Sequence, residues 1–246
     1  MLAFLFFIVA LFYAAVGFGG GSSYLALLVL WKIPFEAIPA IALLCNIIVV
    51  SGNSFNYIRK NLLRFNLIAP LALTSIPFAF IGGRIQIGKE LFVMILFFTL
   101  FITGLRLLIK HKSYDDSPEK YKVLPFKISL LIGSILGFLA GITGIGGGIF
   151  LSPILYYFKA GSPKQISAVA SMFILLNSIS GLIGQLSKGV PTELVSQYWY
   201  LPFFALIGGQ IGNLIVIKFV PARIVALLTA LLVLFVAGNL GFKIWG

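Results

Sequence analysis

Two glycine clusters are the residues of this sequence whose type and spacing best fit a binding chemistry. The pattern Gly-x-Gly-Gly-Gly occurs at Gly17–Gly21 and again at Gly144–Gly148, and each copy interrupts an apolar segment. A run of glycines permits the unusual dihedral angles of a broken helix. The helix that restarts after the break directs unpaired N–H groups and a partial positive charge back at it. An anion is bound at such a place without a basic side chain.

Three asparagines add side-chain amides near the middle of apolar segments. Asn46 and Asn53 are seven residues apart and therefore share a helix face, and Asn177 occupies a similar place in the second half. Such amides bind a substrate or hydrogen-bond between helices, and the second role contributes under about 2 kcal/mol each. For Asn53, and for Gln185 on the segment of Asn177, both roles stay open. For Asn46 and Asn177 substrate contact is slightly favoured.

Each predicted substrate ligand either lies at a glycine cluster or carries a side-chain amide near the middle of an apolar segment. They are Gly19, Gly20, Gly21, Ser22, Ser23, Asn46, Asn53, Gly146, Gly147, Gly148, Ile149 and Asn177. The two serines would add hydroxyl donors to the first copy, which the second copy lacks. A single cysteine and a single histidine form no cluster for a metal, and no cofactor is predicted.

Close helix packing is the competing explanation for the glycines. Gly133 and Gly137 are four residues apart, as in the small-residue faces that let membrane helices approach, and for them packing is the favoured role. Packing needs one glycine per turn rather than a run of them, so a broken helix is favoured for the clusters. A nucleotide-binding fold is disfavoured because neither cluster completes a dinucleotide or phosphate-loop motif.

The amino-acid composition indicates that these residues belong to a protein embedded in lipid. Of the 246 residues 60% are apolar and only 10% are charged, whereas a soluble protein is about one quarter charged. The net charge of +12 would indicate nucleic acid as the partner of a soluble protein. Here the basic residues fall in short gaps between apolar segments, where they set the orientation of a membrane protein. The lipid bilayer is therefore the expected partner, and nucleic acid is not.

Apolar segments long enough to cross a bilayer, about 20 residues each, predict an all-α polytopic membrane protein. Full spans are predicted at residues 37–57, 66–87, 91–109, 165–187, 198–218 and 222–245. Segments 1–16 and 126–142 each stop at a glycine cluster, and about ten more apolar residues follow each cluster. These two regions are predicted to be interrupted helices.

The sequence also contains an internal duplication. The two glycine clusters are 127 residues apart, and Gly82 and Gly208 are 126 residues apart. Such constant offsets predict two copies of one unit, a glycine-broken helix pair followed by three transmembrane helices. The first repeat covers residues 1–110, a hydrophilic linker covers 111–125, and the second repeat covers 126–246. Repeats with helices interrupted at matching positions indicate the binding site of a secondary transporter.

The basic residues distinguish two ways for the repeats to cross the membrane. If each broken pair crosses once, 11 basic residues lie on one side and 7 on the other. If each pair is re-entrant and returns to the same side, the division is 13 against 5, which obeys the positive-inside rule better and is preferred. Each unit then crosses an odd number of times, so the repeats are inverted and both glycine turns lie near the midplane. Against this, first legs of about 16 residues are long for half-helices.

The acidic residues disfavour an enzyme and a carboxylate ion site. All of them lie in loops or at span ends: Glu36, Glu90, Asp115, Asp116, Glu119 and Glu193. A proton relay or sodium site of the usual type needs a carboxylate at mid-membrane. Intramembrane proteolysis needs a buried Ser/His pair, paired aspartates or zinc, and the sequence supplies none of these.

Together these residues resemble the sulfite exporter TauE/SafE family, also called the toluene-sulfonate uptake permeases. The resemblance rests on the duplicated glycine motif, on Pro153 after the second copy and on the asparagine-bearing span after each copy, and it covers essentially the whole chain. It implies a multi-pass inner-membrane carrier for small sulfur oxyanions or organosulfonates. The first copy departs from the pattern because Ala26 stands where the second copy has Pro153. Alternating access around a midplane site is the expected mechanism, and a channel-like anion pathway is the alternative.

Overall fold

The computed structural model describes residues 1–15, 17–108, 121, 124–190, 192–214 and 222–245, and all regular structure in these ranges is helical. The first half contains α1 (Leu2–Ala15), α2 (Gly21–Leu30), α3 (Ile38–Arg59), α4 (Phe65–Arg84) and α5 (Lys89–Leu108). The second half contains α6 (Phe126–Thr143), α7 (Gly148–Tyr157), α8 (Pro163–Ser187), α9 (Thr192–Ser196), α10 (Tyr200–Leu214) and α11 (Ala222–Trp245). This confirms the all-helical prediction. The predicted linker lies outside the described residues except for its positions 121, 124 and 125.

Several of these helices suit a bilayer. Among the described residues, α3, α4, α6 and α8 are long and apolar enough to cross one by length and composition. The predicted spans 37–57, 66–87 and 165–187 agree closely with α3, α4 and α8. The span predicted at 198–218 is described only to its position 214, and the five-residue helix α9 that precedes it was not predicted.

The predicted helix breaks at both glycine clusters are present. Helix α1 ends before the first cluster and α2 begins inside it, and α6 and α7 flank the second cluster in the same way. Five cluster glycines have left-handed backbone angles: Gly17 (φ 84°), Gly20 (φ 90°), Gly144 (φ 85°), Gly146 (φ 81°) and Gly147 (φ 78°). Other residues rarely adopt these angles because the β-carbon clashes with the following carbonyl. Glycine is thus required for the geometry of both turns.

The two short helices that follow the breaks are alike. Helices α2 and α7 each contain ten residues and start 127 residues apart. Each is followed by a lysine with a left-handed backbone, Lys32 (φ 56°) and Lys159 (φ 49°). The next N–H group then donates back to the last turn, from Ile33 to the Leu28 carbonyl at 3.0 Å and from Ala160 to the Leu155 carbonyl at 2.9 Å. This closure is a common way to end a helix.

Helix pairs from the two halves form the tertiary structure. The main contacts are α4 with α8, α3 with α8, α5 with α11, α1 with α10, and α4 with α6. Glycines allow the last two pairs to approach closely: a β-carbon on Gly82 would meet the Phe138 carbonyl, and one on Gly208 would meet the Phe7 carbonyl. The packing role expected of Gly133 and Gly137 is confirmed, because both lie against the backbone of α4.

Gly137→Ala is expected to lower the free energy of unfolding by about 1–3 kcal/mol, since overpacking forces backbones apart. The added β-carbon would lie 2.6 Å from Ser75 Cα and closer still to its carbonyl oxygen, and neither backbone atom can rotate away. The melting temperature of the purified protein in detergent measures the effect. The matched control is Gly238→Ala on α11, where no atom of a described residue outside the adjoining helix backbone lies within 4 Å of the new methyl group. Equal melting temperatures for the two variants would contradict the prediction.

Two hydrogen bonds define the ends of the bundle. Arg64, just before α4, donates from its guanidinium to the Ala160 carbonyl just after α7. Gln86, just after α4, donates from Nε2 to the Lys188 carbonyl at 3.2 Å. Since these residues flank the same helix, the bonds lie at its opposite ends, which we call the Arg64 end and the Gln86 end. The Arg64 end is closed by a cluster of buried apolar side chains, among them Leu63, Leu67, Leu155 and Ile166.

Candidate anion-binding site

The two glycine turns meet inside the protein. A β-carbon on Gly21 would lie 2.5 Å from the Ile145 carbonyl oxygen, so no side chain fits between the first turn and the second. The long helices α3 and α8 flank this contact. The Asn46 side chain of α3 and the Ile174 side chain of α8 lie against Gly146 of the second turn. The two glycine clusters, which are far apart in sequence, thus lie in contact and form a single candidate site.

Asn46 lies between the two turns. Its side chain is completely buried, and its Nδ2 donates to the Gly144 carbonyl at 3.1 Å. A β-carbon on Gly19 would lie 2.5 Å from Asn46 Oδ1, and one on Gly146 would lie 3.1 Å from Nδ2. The amide orientation follows from chemistry, because a carbonyl at Gly144 accepts only from the NH2 group. Its oxygen is left without a hydrogen-bond partner within the described protein, a cost of about 1–3 kcal/mol for a buried polar atom.

Helix α8 adds two hydroxyl groups that sequence reasoning missed. Ser171 Oγ donates to the Gly17 carbonyl in the first turn. Ser178 Oγ lies 3.3 Å from the position that a β-carbon on Gly146 would take, and it is buried without a partner among the described residues. Their spacing of seven residues places both on one helix face. That spacing was the available signal, but it does not say whether the face contacts lipid or protein.

Both short helices present their N-termini at these turns. In α2 the Tyr24 N–H bonds the carbonyl of the N-cap Gly20 at 3.0 Å, and the N–H groups of Gly21 to Ser23 precede it. In α7 the Leu151 N–H bonds the carbonyl of the N-cap Gly147 at 3.1 Å. The N-cap residue of each helix is a glycine, which has no side chain to cap it. The positive ends of two helix dipoles therefore lie at the paired turns.

A small cavity joins residues of both turns. Its lining comes from α1, both glycine turns, the starts of α2 and α7, and α8: Tyr13, Phe18, Gly19, Gly20, Gly21, Ser22, Ile145, Ile149 and Ile174. The cavity has room for about one water molecule. Any solute larger than water could therefore enter only if the turns separated.

The first-turn serines differ in their surroundings. Ser22 Oγ is buried and has no hydrogen-bond partner in the described part of the chain, and its residue lines the small cavity. Ser23 Oγ is 3.0 Å from the Tyr13 hydroxyl. Ser22 therefore retains a hydroxyl donor for a solute, whereas that of Ser23 already has a neighbour.

The other predicted amides have less direct geometry. Asn177 Nδ2 donates to the Phe173 carbonyl of its own helix at 2.9 Å, and its Oδ1 is without a partner in the described structure. Asn53 is buried, and its Nδ2 likewise has no partner among the described residues. Gln185 Nε2 donates to the Gly141 carbonyl on α6 at 2.8 Å. The structure thus gives Gln185 the helix-linking role that was one of its two expected alternatives.

A larger cavity opens at the Gln86 end, and we call it the vestibule. Its volume is about 260 Å³, and its lining comes from three loops and the adjoining helix ends: Phe35, Glu36, Pro39, Ile85, Gln86, Ile87, Phe92, Ile142, Lys188, Gly189 and Val190. Pro39 also lies against the second turn, because a β-carbon on Gly144 would be 2.8 Å from Pro39 Cα. One residue thus separates the vestibule from the paired turns.

Comparisons with known proteins indicate what the chain is similar to. The sequence model of the family described as Sulfite exporter TauE/SafE matches residues 2–240. No solved structure matches significantly.

Three curated relatives carry transporter names. A "Probable membrane transporter protein y4hK" of Sinorhizobium fredii is 29% identical over 225 residues, which cover 90% of this chain and 89% of that protein. The "Probable membrane transporter protein YunE" of Bacillus subtilis is 28% identical over 49% of this chain and 44% of its own length. One from Methanocaldococcus jannaschii, of the same description, is 31% identical over 48% of this chain and 43% of its own.

Proposed function

The chain belongs to the sulfite exporter TauE/SafE family, and we propose that this multi-pass membrane transporter carries a small anion, a sulfur oxyanion or an organosulfonate, through the paired glycine turns. The observation that carries the proposal is the meeting of two helix N-termini with glycine N-caps beside buried polar atoms of Asn46 and Ser22 that have no partner among the described residues. Helix N-termini favour negative charge. Unpartnered polar atoms beside them favour a solute that forms hydrogen bonds.

The proposed ligands are backbone and side-chain donors of both turns. The backbone N–H groups come from Gly19 to Ser23 and from Gly146 to Ile149, and the side-chain groups come from Ser22, Asn46 and Ser178. In the closed site Asn46 Nδ2 donates to the Gly144 carbonyl. A solute between the turns would replace this carbonyl as the acceptor. Asn53 and Asn177 remain predicted ligands.

Alternating access between the two repeats is the proposed mechanism. The paired turns leave room for about one water, the vestibule approaches them from the Gln86 end, and apolar side chains close the Arg64 end. A site closed on one side and reached from the other is typical of a carrier. A permanently open anion channel would need a wider passage at this point.

Re-entrant broken pairs and inverted repeats are part of the proposal. If each broken pair crossed once, Arg64 and Ala160 would lie on opposite sides of the membrane, and so would Gln86 and Lys188. Hydrogen bonds join both pairs instead, which favours the re-entrant arrangement. The exchange of partners between halves, α1 with α10 and α4 with α6, is also what two related units on a twofold axis produce.

Cysteine labelling is expected to find Lys60→Cys and Lys164→Cys on one side of the membrane and Lys89→Cys on the other. All three lysines are exposed, and the only native cysteine, Cys45, is buried and contributes little background. A membrane-impermeant maleimide applied to right-side-out and inside-out vesicles gives the sidedness. Labelling of Lys164→Cys together with Lys89→Cys would reject the re-entrant arrangement.

Reconstituted liposomes test the transport proposal. The panel is sulfite, thiosulfate, sulfoacetate, taurine and sulfate, measured as uptake and as counterflow against an internal pool of the same solute. Saturable uptake with counterflow of at least one sulfur anion supports an anion carrier. Flux that rises linearly with concentration and shows no counterflow supports the channel-like alternative. Lack of flux for every anion, with protein that is folded and inserted, would refute the proposed substrate class.

A further inference from the structure

The vestibule contains a basic residue in an unusual setting. Lys188 is half-buried beside apolar and glycine residues, whereas Lys89 at the same end of the bundle is exposed. Burial lowers the pKa of the Lys188 ammonium from its ordinary value, because partial dehydration disfavours the charged form. No ion pair joins Lys188 to a carboxylate within the described ranges. A half-buried cation without a counter-ion is completed by an anion.

The second charged residue of the vestibule is Glu36. Its side chain is exposed, so its carboxylate is better hydrated than the Lys188 ammonium and its field is more strongly screened. The remaining lining consists of apolar or glycine residues and the Gln86 amide. That amide is held by its bond to the Lys188 carbonyl, which ties the loop after α4 to the residue that bears the ammonium.

The position of the vestibule gives this charge a use. Pro39 and Ile142 belong to its lining, and Pro39 also touches Gly144 of the second turn. A solute in the vestibule is therefore one residue away from the paired turns. Its volume of about 260 Å³ exceeds that of the closed site, so it can hold a hydrated anion before the turns separate.

We propose that the vestibule is a second anion site, in which the Lys188 ammonium recruits a small oxyanion or sulfonate at the Gln86 end before transfer to the glycine turns. This site rests on the proposed function for its substrate, but its charge selectivity is a property of the vestibule alone. Low-dielectric walls concentrate the field of one charge and raise the local concentration of oppositely charged solutes. Lys188 thus determines affinity from one side of the membrane only.

A thiol reporter tests the recruitment without transport. Ile85 lines the vestibule and its side chain is 39% exposed, so Ile85→Cys is accessible to reagents. Its modification by anionic sulfonatoethyl methanethiosulfonate is expected to slow roughly tenfold when Lys188→Gln is added, whereas the cationic trimethylammonioethyl reagent speeds up. Glu36→Gln should have the opposite effects, so that the anionic reagent reacts faster and the cationic reagent reacts more slowly. Lys188→Arg retains the charge and should leave the rates near those of the parent.

The matched controls are Lys89→Gln, an exposed lysine at the same end, and Leu91→Cys, an exposed reporter that does not line the vestibule. Equal effects of Lys188→Gln and Lys89→Gln at Ile85→Cys, or the same effect at Leu91→Cys, would overturn the second anion site. If the Lys188→Gln protein is not monodisperse, the Lys188→Arg and Glu36→Gln variants are compared instead. The two differ by one charge in the vestibule, and both retain a cation at position 188. Equal anionic-reagent rates in that pair would also overturn the site.

Transport kinetics give the second measurement. With the panel anion that the wild-type protein carries best, Lys188→Gln should raise KM several-fold for substrate supplied at the Gln86 end and leave KM unchanged from the Arg64 end. An equal rise from both sides would overturn the proposed recruitment. If no anion is transported but the reagent rates respond to Lys188 as expected, the vestibule site stands and the proposed function fails.

Discussion

Gly21→Ala is expected to reduce anion transport by on the order of 100-fold, the effect that a displacement of about 1 Å has at a preorganised site. The new methyl group would lie 2.5 Å from the Ile145 carbonyl oxygen and 2.8 Å from Asn46 Nδ2. The carbonyl belongs to the backbone of the opposite turn and has no rotamer to adopt. The two turns must therefore separate in the closed state, and the bond from Asn46 to Gly144 is lost.

Transport of the best panel anion into liposomes measures the effect, and the amount of inserted protein normalises it. The control is Gly88→Ala, a loop glycine without a left-handed backbone angle, where no described residue other than the chain neighbours has an atom within 4 Å of an added β-carbon. We expect Gly88→Ala to retain wild-type flux. Near-normal flux in Gly21→Ala would mean that the contact between the turns is unimportant for transport.

Asn46→Asp is expected to be at least as damaging, with transport reduced about 100-fold or more, since apposed like charges in a desolvated site cost several kcal/mol. The substitution preserves shape but removes both amide donors. It also leaves a carboxylate facing the Gly144 carbonyl, an acceptor against an acceptor. The two helix N-termini stabilise the ionised carboxylate. The carboxylate therefore takes the place, at the positive ends of both helices, that we propose for the anionic solute.

Asn46→Ala separates the two causes. It removes the amide without adding charge, and we expect a loss of about tenfold, the size of one hydrogen bond and one unpaired carbonyl. Asn56→Asp, a half-buried position nearer the end of the same helix, is the matched control and should stay within about twofold of wild type because its charge is near Arg59 and solvent. Equal flux in Asn46→Asp and Asn56→Asp would contradict the assignment of Asn46 to the site.

The helix breaks were predictable because their cause is local. A run of glycines favours a break in a helix, and the break is stable in lipid only where the freed backbone groups find partners. The left-handed angles at Gly20 and Gly147 are of the kind that such a run permits. The packing role of Gly133 and Gly137 was predictable from their spacing for the same reason, although their partner helix, α4, was not. These predictions depend on residue type and periodicity, which the sequence contains directly.

The internal geometry of the site was not predictable in this way. Asn46 and Gly144 are 98 residues apart in sequence, and nothing local indicates which carbonyl the amide meets. Ser171 was missed because its partner, the Gly17 carbonyl, is 154 residues away. Helix α9 was missed because five residues are too few for a helical period. Pairings of this kind depend on tertiary packing, which residue spacing does not encode.

The contact between α4 and α6 limits the kind of motion available to the molecule. Gly133, Gly137 and Gly141 of α6 lie against the backbone of α4, so α6 has no side chain to interlock at these three positions. Sliding the two helices parallel to their axes would therefore require few rotamer changes. Separating them would instead lose the close van der Waals contact between them. Shear along this surface, with α1 and α10 moving in the corresponding way, is the displacement that the glycines make easiest.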